Sequence, residues 1–256
     1  MFYLKLLGTP ALECDGTAIT GRAAQRHRLA LLSLLAIAPG RRLSRDKLIA
    51  YLWPERDAES GRNLLKVATY VLRGSLGENA LVTEGDELRL NTGLIEADVA
   101  EFDVALKQRD FIRAVSLYKG AFLDGFFLSD APDFEQWADR ERERLAGGFR
   151  AALEALAQAA EDAGDYRKAI EWWKQRAAHD PYDSRIALRL MQCLEATGNR
   201  AGALQHASVH ERLLHAEFNI GLPAEIAELV VRLRREAAVV IATSPRTIDA
   251  VPLPES

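Results

Sequence analysis

The 256-residue chain has only two cysteines, Cys14 and Cys193, far apart and outside any CxxC spacing. That excludes a disulfide framework and a zinc cluster and fits a reducing compartment. Long apolar runs are also missing: the longest, residues 29–38, contains Ser33 and stops at Pro39-Gly40, well short of the roughly 18 residues a membrane span needs. The opening Met1-Phe2-Tyr3-Leu4-Lys5 lacks the basic stretch and small-residue cleavage site of an export signal. A cytoplasmic protein without a membrane partner is expected. There is no GxxxxGK(S/T) loop, GxSxG elbow, HExxH or GxGxxG, so nucleotide, hydrolase and zinc-protease chemistry have no anchor. No catalytic residue, cofactor or metal site is expected, and the chain does not read as an enzyme.

Basic excess is absent overall, the net charge being −4, but the charge is unevenly divided. Residues 1–95 hold 13 Lys and Arg against 10 Asp and Glu, and residues 22–73 alone hold eleven basic residues against four acidic ones. A local excess of this size is an electrostatic footprint for phosphates, or else a solvated basic surface. Spacing decides between them.

The first 20 residues carry short β-type runs on either side of Asp15-Gly16, a hairpin turn pair. Residues 22–38 turn helical and Leu-rich on most faces, so this helix should be buried. Ser44 is placed to cap a second, short amphipathic helix with Leu48, Ile49, Leu52 and Trp53 on one stripe, stopped by Pro54. Asp57 is placed to cap a third, running to Leu76 and closed by Gly77. Leu65, Thr69, Leu72 and Leu76 make its buried stripe; Arg62, Asn63, Lys66, Tyr70 and Arg73 face the other way. These are the residue types that read base edges and hold phosphates. Leu81-Val82-Thr83 and Leu88-Arg89-Leu90 then flank Glu84-Gly85-Asp86-Glu87 as a hairpin.

Sheet, buried helix, short helix, long cationic helix and hairpin together resemble the winged-helix DNA-binding domain of the OmpR/PhoB type. The run from Leu48 to Pro54, Arg62-Asn63-Leu64-Leu65-Lys66 and Val71-Leu72-Arg73 resemble the version found in SARP-type transcriptional activators. In these, the winged helix precedes a bacterial transcriptional activation domain. One departure stands out: Glu84, Asp86 and Glu87 surround a single Arg89 at the hairpin tip, and acidic groups repel phosphates. Most base readout is therefore assigned to the third helix.

After residue 96 strand signals stop and Ala, Leu, Glu and Arg dominate. Gly164-Asp165-Tyr166-Arg167-Lys168-Ala169 repeats as Gly198-Asn199-Arg200-Ala201-Gly202-Ala203, 34 residues on, the tetratricopeptide period. A weaker copy runs from Arg109 to Ala114, its larger offset implying an insertion. That insertion holds Phe122, Phe126, Phe127 and Trp137 and reads as an irregular helical pair buried by its own aromatics rather than a ligand pocket. Its Gly-Xaa-Phe-Leu-Xaa-Gly-Phe pattern, and Glu217 to Pro223, also resemble the activation domain. His206 and His210 stand one turn apart near His215, a spacing more common on a packing face than in a metal site. Of Trp172 and Trp173, one should be core and the other surface.

The expected architecture is mainly α: an α+β winged helix over 1–95, an all-α tetratricopeptide-like domain over 96–242, and a disordered Pro-containing tail over 243–256. The expected base contacts are Arg62, Asn63 and Lys66. The expected phosphate contacts are Arg41, Arg42, Arg45, Lys47, Tyr70, Arg73 and Arg89. The resemblance implies double-stranded promoter DNA as partner, bound at direct repeats as a homodimer. It also implies contact with the sigma and alpha subunits of RNA polymerase, through the helical domain and the loop Pro54, Glu55, Arg56 and Asp57. A protein-interaction scaffold or ligand-sensing adaptor that does not bind DNA is the alternative.

Overall fold

The computed structural model describes residues 1–243, with side chains to residue 235; the tail expected from 243 lies, past Thr243, outside them. Two compact units result, Met1–Ala155 and Leu156–Ser256.

In the first, β1 (Phe2–Lys5), β2 (Ala11–Cys14) and β3 (Thr17–Ala18) lie antiparallel, and β7 (Ile95–Ala97) joins β1 in parallel, giving the order β3-β2-β1-β7. Asp15 (φ 47°) and Gly16 (φ 80°) both take the left-handed conformation that a two-residue hairpin of this twist requires. Helix α1 (Arg26–Ile37) starts four residues later than its pattern suggests and buries every residue from Leu29 to Ala36. Gly40, at φ 64°, turns the chain out of it. A three-residue strand, β4 (Arg42–Ser44), follows, then α2 (Arg45–Leu52), α3 (Ala58–Leu76) and the hairpin β5 (Leu81–Glu84) and β6 (Glu87–Leu90). The second sheet has the order β4-β6-β5, so the hairpin is pinned to the residues leading into α2.

Beyond β7 come α4 (Asp98–Gln108), α5 (Phe111–Leu117) and α6 (Pro132–Asp162). Asp98 is buried, and its carboxylate accepts the backbone N–H groups of Leu6, Leu7 and Val99 at 2.7–2.9 Å. Burial pushes its pKa up, against the pull of those donors. The aromatic insertion is not buried by itself alone. Leu7 bridges to Phe122, Leu123 donates to the Leu6 carbonyl, and Trp137 packs on Phe122, Phe134 and, from α2, Tyr51. Helices α4 and α5 thus belong to the first compact unit, and the sequence division at residue 95 does not coincide with the division by contacts.

The second unit holds α7 (Tyr166–His179), α8 (Ser184–Ala196), α9 (Arg200–Phe218) and α10 (Ala224–Thr243). The repeat visible in the sequence is a repeat of turn geometry. Arg109, Gly164 and Gly198 are all left-handed, at φ 60°, 72° and 77°. Asp110, Asp165 and Asn199 follow each, and their side chains accept the N–H three residues on. The backbone N–H of each cap closes on the carbonyl five residues back, at Ala105, Ala160 and Leu194, the Schellman closure. Ala114, Ala169 and Ala203 are each fully buried one turn later, where a larger side chain would hold the helices apart. Trp173 is core and Trp172 is partly buried against it.

Candidate nucleic-acid interface

The third helix is built as its sequence indicates. The Asp57 carboxylate accepts from the N–H groups of Glu59 and Ser60 at 3.0 and 2.9 Å, and Gly77 at φ 100° closes the helix. Donation from Ser60, by N–H and hydroxyl, holds the Asp57 carboxyl below the usual range. Helix α2 has the Ser44 hydroxyl as its cap, at 3.4 Å from the Lys47 nitrogen. The two helices meet at Gly61, where a Cβ would lie 2.5 Å from Ile49 Cγ2. The buried stripe of α3 is Gly61, Leu65, Ala68, Leu72 and Leu76. Thr69, expected in that stripe, is half-buried at its edge, because the smaller Ala68 fits the close approach to the core.

Arg62, Asn63, Lys66 and Tyr70 are exposed on the other side. A hollow of about 610 Å³ runs between α2, α3 and the hairpin, with Arg45, Arg62, Lys66, Tyr70, Arg73 and Thr83 on its walls. Among the described residues, Arg62 and Lys66 have no ion pair, although Asp46 and Asp86 also line the hollow. Cations kept unpaired beside a concave surface suit a polyanion, since nothing in the protein has to be broken to engage it.

The other predicted phosphate ligands fall into two groups. Arg42, Arg45 and Lys47 lie where β4 runs into α2, with Arg42 3.4 Å from Glu87 and Arg45 within 3.4 Å of the Thr83 hydroxyl. Arg73 is engaged internally: Nε and Nη2 donate to the Leu81 carbonyl at 2.9 and 2.7 Å, and Nη2 reaches Thr83 Oγ1 at 3.1 Å. Its guanidinium ties α3 to the hairpin. Arg89 is paired with Glu84 at 2.7 Å. Arg41 donates to the Ala36 carbonyl and lines a different cavity, with Ala100 and Val104 of α4; burial lowers its pKa. Of the loop between α2 and α3, Glu55, Arg56 and Asp57 are exposed and Pro54 is half-buried.

Thr83 carried no signal in the sequence because its partners come from α2 and α3, and Val67 carried none because an apolar side chain on a polar face offers neither charge nor hydrogen bond to mark it. Val67 is 54% exposed on the outward face. In the second unit, His210 uses both ring nitrogens, 2.8 Å from the Ser184 hydroxyl and 3.1 Å from the Pro181 carbonyl. It is a buried, hydrogen-bonded core histidine. No cluster of three or more potential metal ligands occurs among the described residues, and no helix there is long and apolar enough to cross a membrane.

The sequence model of a family described as bacterial transcriptional activator domain matches residues 91–234. The chain belongs to this family. A curated relative of this activator-domain protein is the regulatory protein AfsR of Streptomyces griseus, 26% identical in an alignment 235 positions long that covers 88% of the chain and 24% of AfsR. The chain thus spans about a quarter of that relative's length. A solved structure with the same fold is Mycobacterium tuberculosis EmbR in complex with a low-affinity phosphopeptide. There the TM-score is 0.63 at 20% identity, covering 97% of this chain and 72% of the EmbR chain. The family match and the regulatory relative agree with the SARP-type resemblance that the motifs carry.

Proposed function

We propose that the protein binds promoter DNA with α3 in the major groove and activates transcription by contacting RNA polymerase. The observation that carries this reading is the unpaired cationic flank of α3 beside an open hollow. Arg62, Asn63 and Lys66 meet base edges, while Arg42, Arg45, Lys47 and Tyr70 hold phosphates on the rim. Arg73 and Arg89 act first on the hairpin: Arg73 fixes its distance from α3, and Arg89 offsets Glu84 at the tip. Two protomers occupy direct repeats side by side, since one α3 covers too few base pairs for tight specific binding. The exposed loop of Glu55 and Arg56, with the helical repeats, contacts polymerase. Asp57 serves chiefly as the cap of α3.

The test is a shift assay of the full chain on sites selected from random DNA. Arg62→Ala with Lys66→Ala should weaken binding by roughly 30- to 20,000-fold, at about 1–3 kcal/mol for each of the two base contacts removed. It should also blur the sequence preference, whereas Arg42→Ala and Lys47→Ala, each removing one phosphate contact, should reduce the salt slope by about 1 apiece. Unchanged affinity and preference would refute the reading. For recruitment, Glu55→Lys with Arg56→Glu should leave DNA binding intact and abolish activation in vitro.

A further inference from the structure

We infer that Val67 is a specificity-determining residue of α3 that reads the 5-methyl group of thymine, with Asn63 reading adenine one turn away. The inference rests on the DNA-binding reading above. With about 100° between successive residues, Asn63, Val67, Tyr70 and Gly74 follow one line along α3. That line lies opposite the buried Gly61, Leu65, Ala68, Leu72 and Leu76. Arg62 and Lys66 lie to one side of it, toward the hairpin, on the wall of the hollow where Val67 is not found. The foremost residues of the helix are therefore an amide, a valine and a phenol, and the cations flank them.

Three observations set Val67 apart from an incidental surface residue. It is 54% exposed, and Leu64, 37% exposed, and half-buried Val71 continue the apolar surface around it. The branched side chain of Val67 is stiff, so contact freezes little motion; exposed valines also stand on α4 and α9, at Val104 and Val209, but with no open glycine following on their helices. Further along the line stands Gly74, with nothing within 4 Å of where a Cβ would sit. Unlike Gly61, it has no internal packing reason to lack a side chain, and an open glycine in the last turn of the helix allows a duplex to approach closely. In the major groove only thymine offers a methyl group, and adenine offers the donor and acceptor pair that an amide matches bidentately. An amide and a branched aliphatic four residues apart, about 6 Å in rise, match a step that contains A·T pairs.

The test uses the full chain and its selected site, resynthesised with each thymine replaced in turn by deoxyuridine. The wild type should lose roughly fourfold at one thymine, about what burial of one methyl group supplies. Val67→Ala, helix-favouring and exposed, keeps the fold; it should bind the thymine and deoxyuridine sites equally. A wild type indifferent to every replacement, or a Val67→Ala protein that keeps the discrimination, overturns the inference while leaving DNA binding standing. If no sequence-specific site is selected at all, both readings fall.

Discussion

Helices α3 and α9 are each 19 residues long, are capped by an Asx side chain, and bury residues at the same spacing. The buried set is Gly61, Leu65, Ala68 and Leu72 in one, and Ala203, Ala207, His210 and Leu214 in the other. In that common register Arg62, Asn63 and Lys66 of α3 correspond to Leu204, Gln205 and Ser208 of α9. Leu204 packs partly on the repeat core, whereas Arg62 and Lys66 face solvent without an ion pair among the described residues. The difference teaches that the inward stripe of a helix reports only that it belongs to a core. Its task is written on the face that the core does not use. The same contrast holds for charge: the buried Arg176 stands 3.5 Å from Asp183 and Arg189 2.8 Å from Glu161, so those cations are committed within the repeats.

The contrast breaks if the two regions cannot be disabled separately. The largest effect is expected from Trp173→Ala, which removes a side chain 2% exposed in the repeat core and its hydrogen bond to Glu161. It should cost about 3–5 kcal/mol in chemical denaturation while DNA affinity, measured under native conditions, stays near that of the wild type. A comparable loss of affinity would show that α3 depends on the repeats. Next comes Gly61→Ala, whose added methyl group meets Ile49 Cγ2. A cost of about 1–3 kcal/mol and weaker DNA binding should appear together, since α3 is levered off α2. Ala203→Gly, at the buried α9 position in the same register, should destabilise without touching affinity. The smallest effect is a pH dependence. Burial, with His210 and Lys174 nearby, holds the His206 pKa below its usual value. The unfolded chain therefore takes up this proton first, and stability present above pH of about 6.5 is lost as the pH falls below it. His206→Gln should flatten that slope in melting experiments at pH 7.5 and 5.5, and an unchanged slope would assign it to other groups.

Local chemistry made much of this architecture legible in advance. The caps Ser44 and Asp57, the turn at Asp15-Gly16 and the close of α3 at Gly77 each depend on a few neighbouring residues, and each is where its motif puts it. What escaped was set at long range. Arg42-Leu43-Ser44 is too short to announce a strand, and becomes β4 only because Leu88 pairs with Leu43. Arg73 has the character of a phosphate ligand until β5 places the Leu81 carbonyl beside it. The aromatics around Phe122 gave no hint that Leu6, Leu7 and Tyr51 would share in covering them. For β4 and the aromatics the missing partner lies far away in sequence; for Arg73 it lies only eight residues on, but across the turn into the hairpin, whose path the sequence does not fix.

The parallel pairing of Phe2 with Ile95 and of Leu4 with Ala97 has a bearing on how the molecule is made. Strand β1 leaves the ribosome more than ninety residues before its second neighbour arrives, and Asp98 comes later still to take up the amides of Leu6 and Leu7. A gene truncated after residue 95 would strand that edge without its mate and leave those amides without their acceptor. Anyone wishing to carry the winged module into another protein should therefore transplant the stretch through Ala155, and treat the helices that follow the wing as part of its foundation.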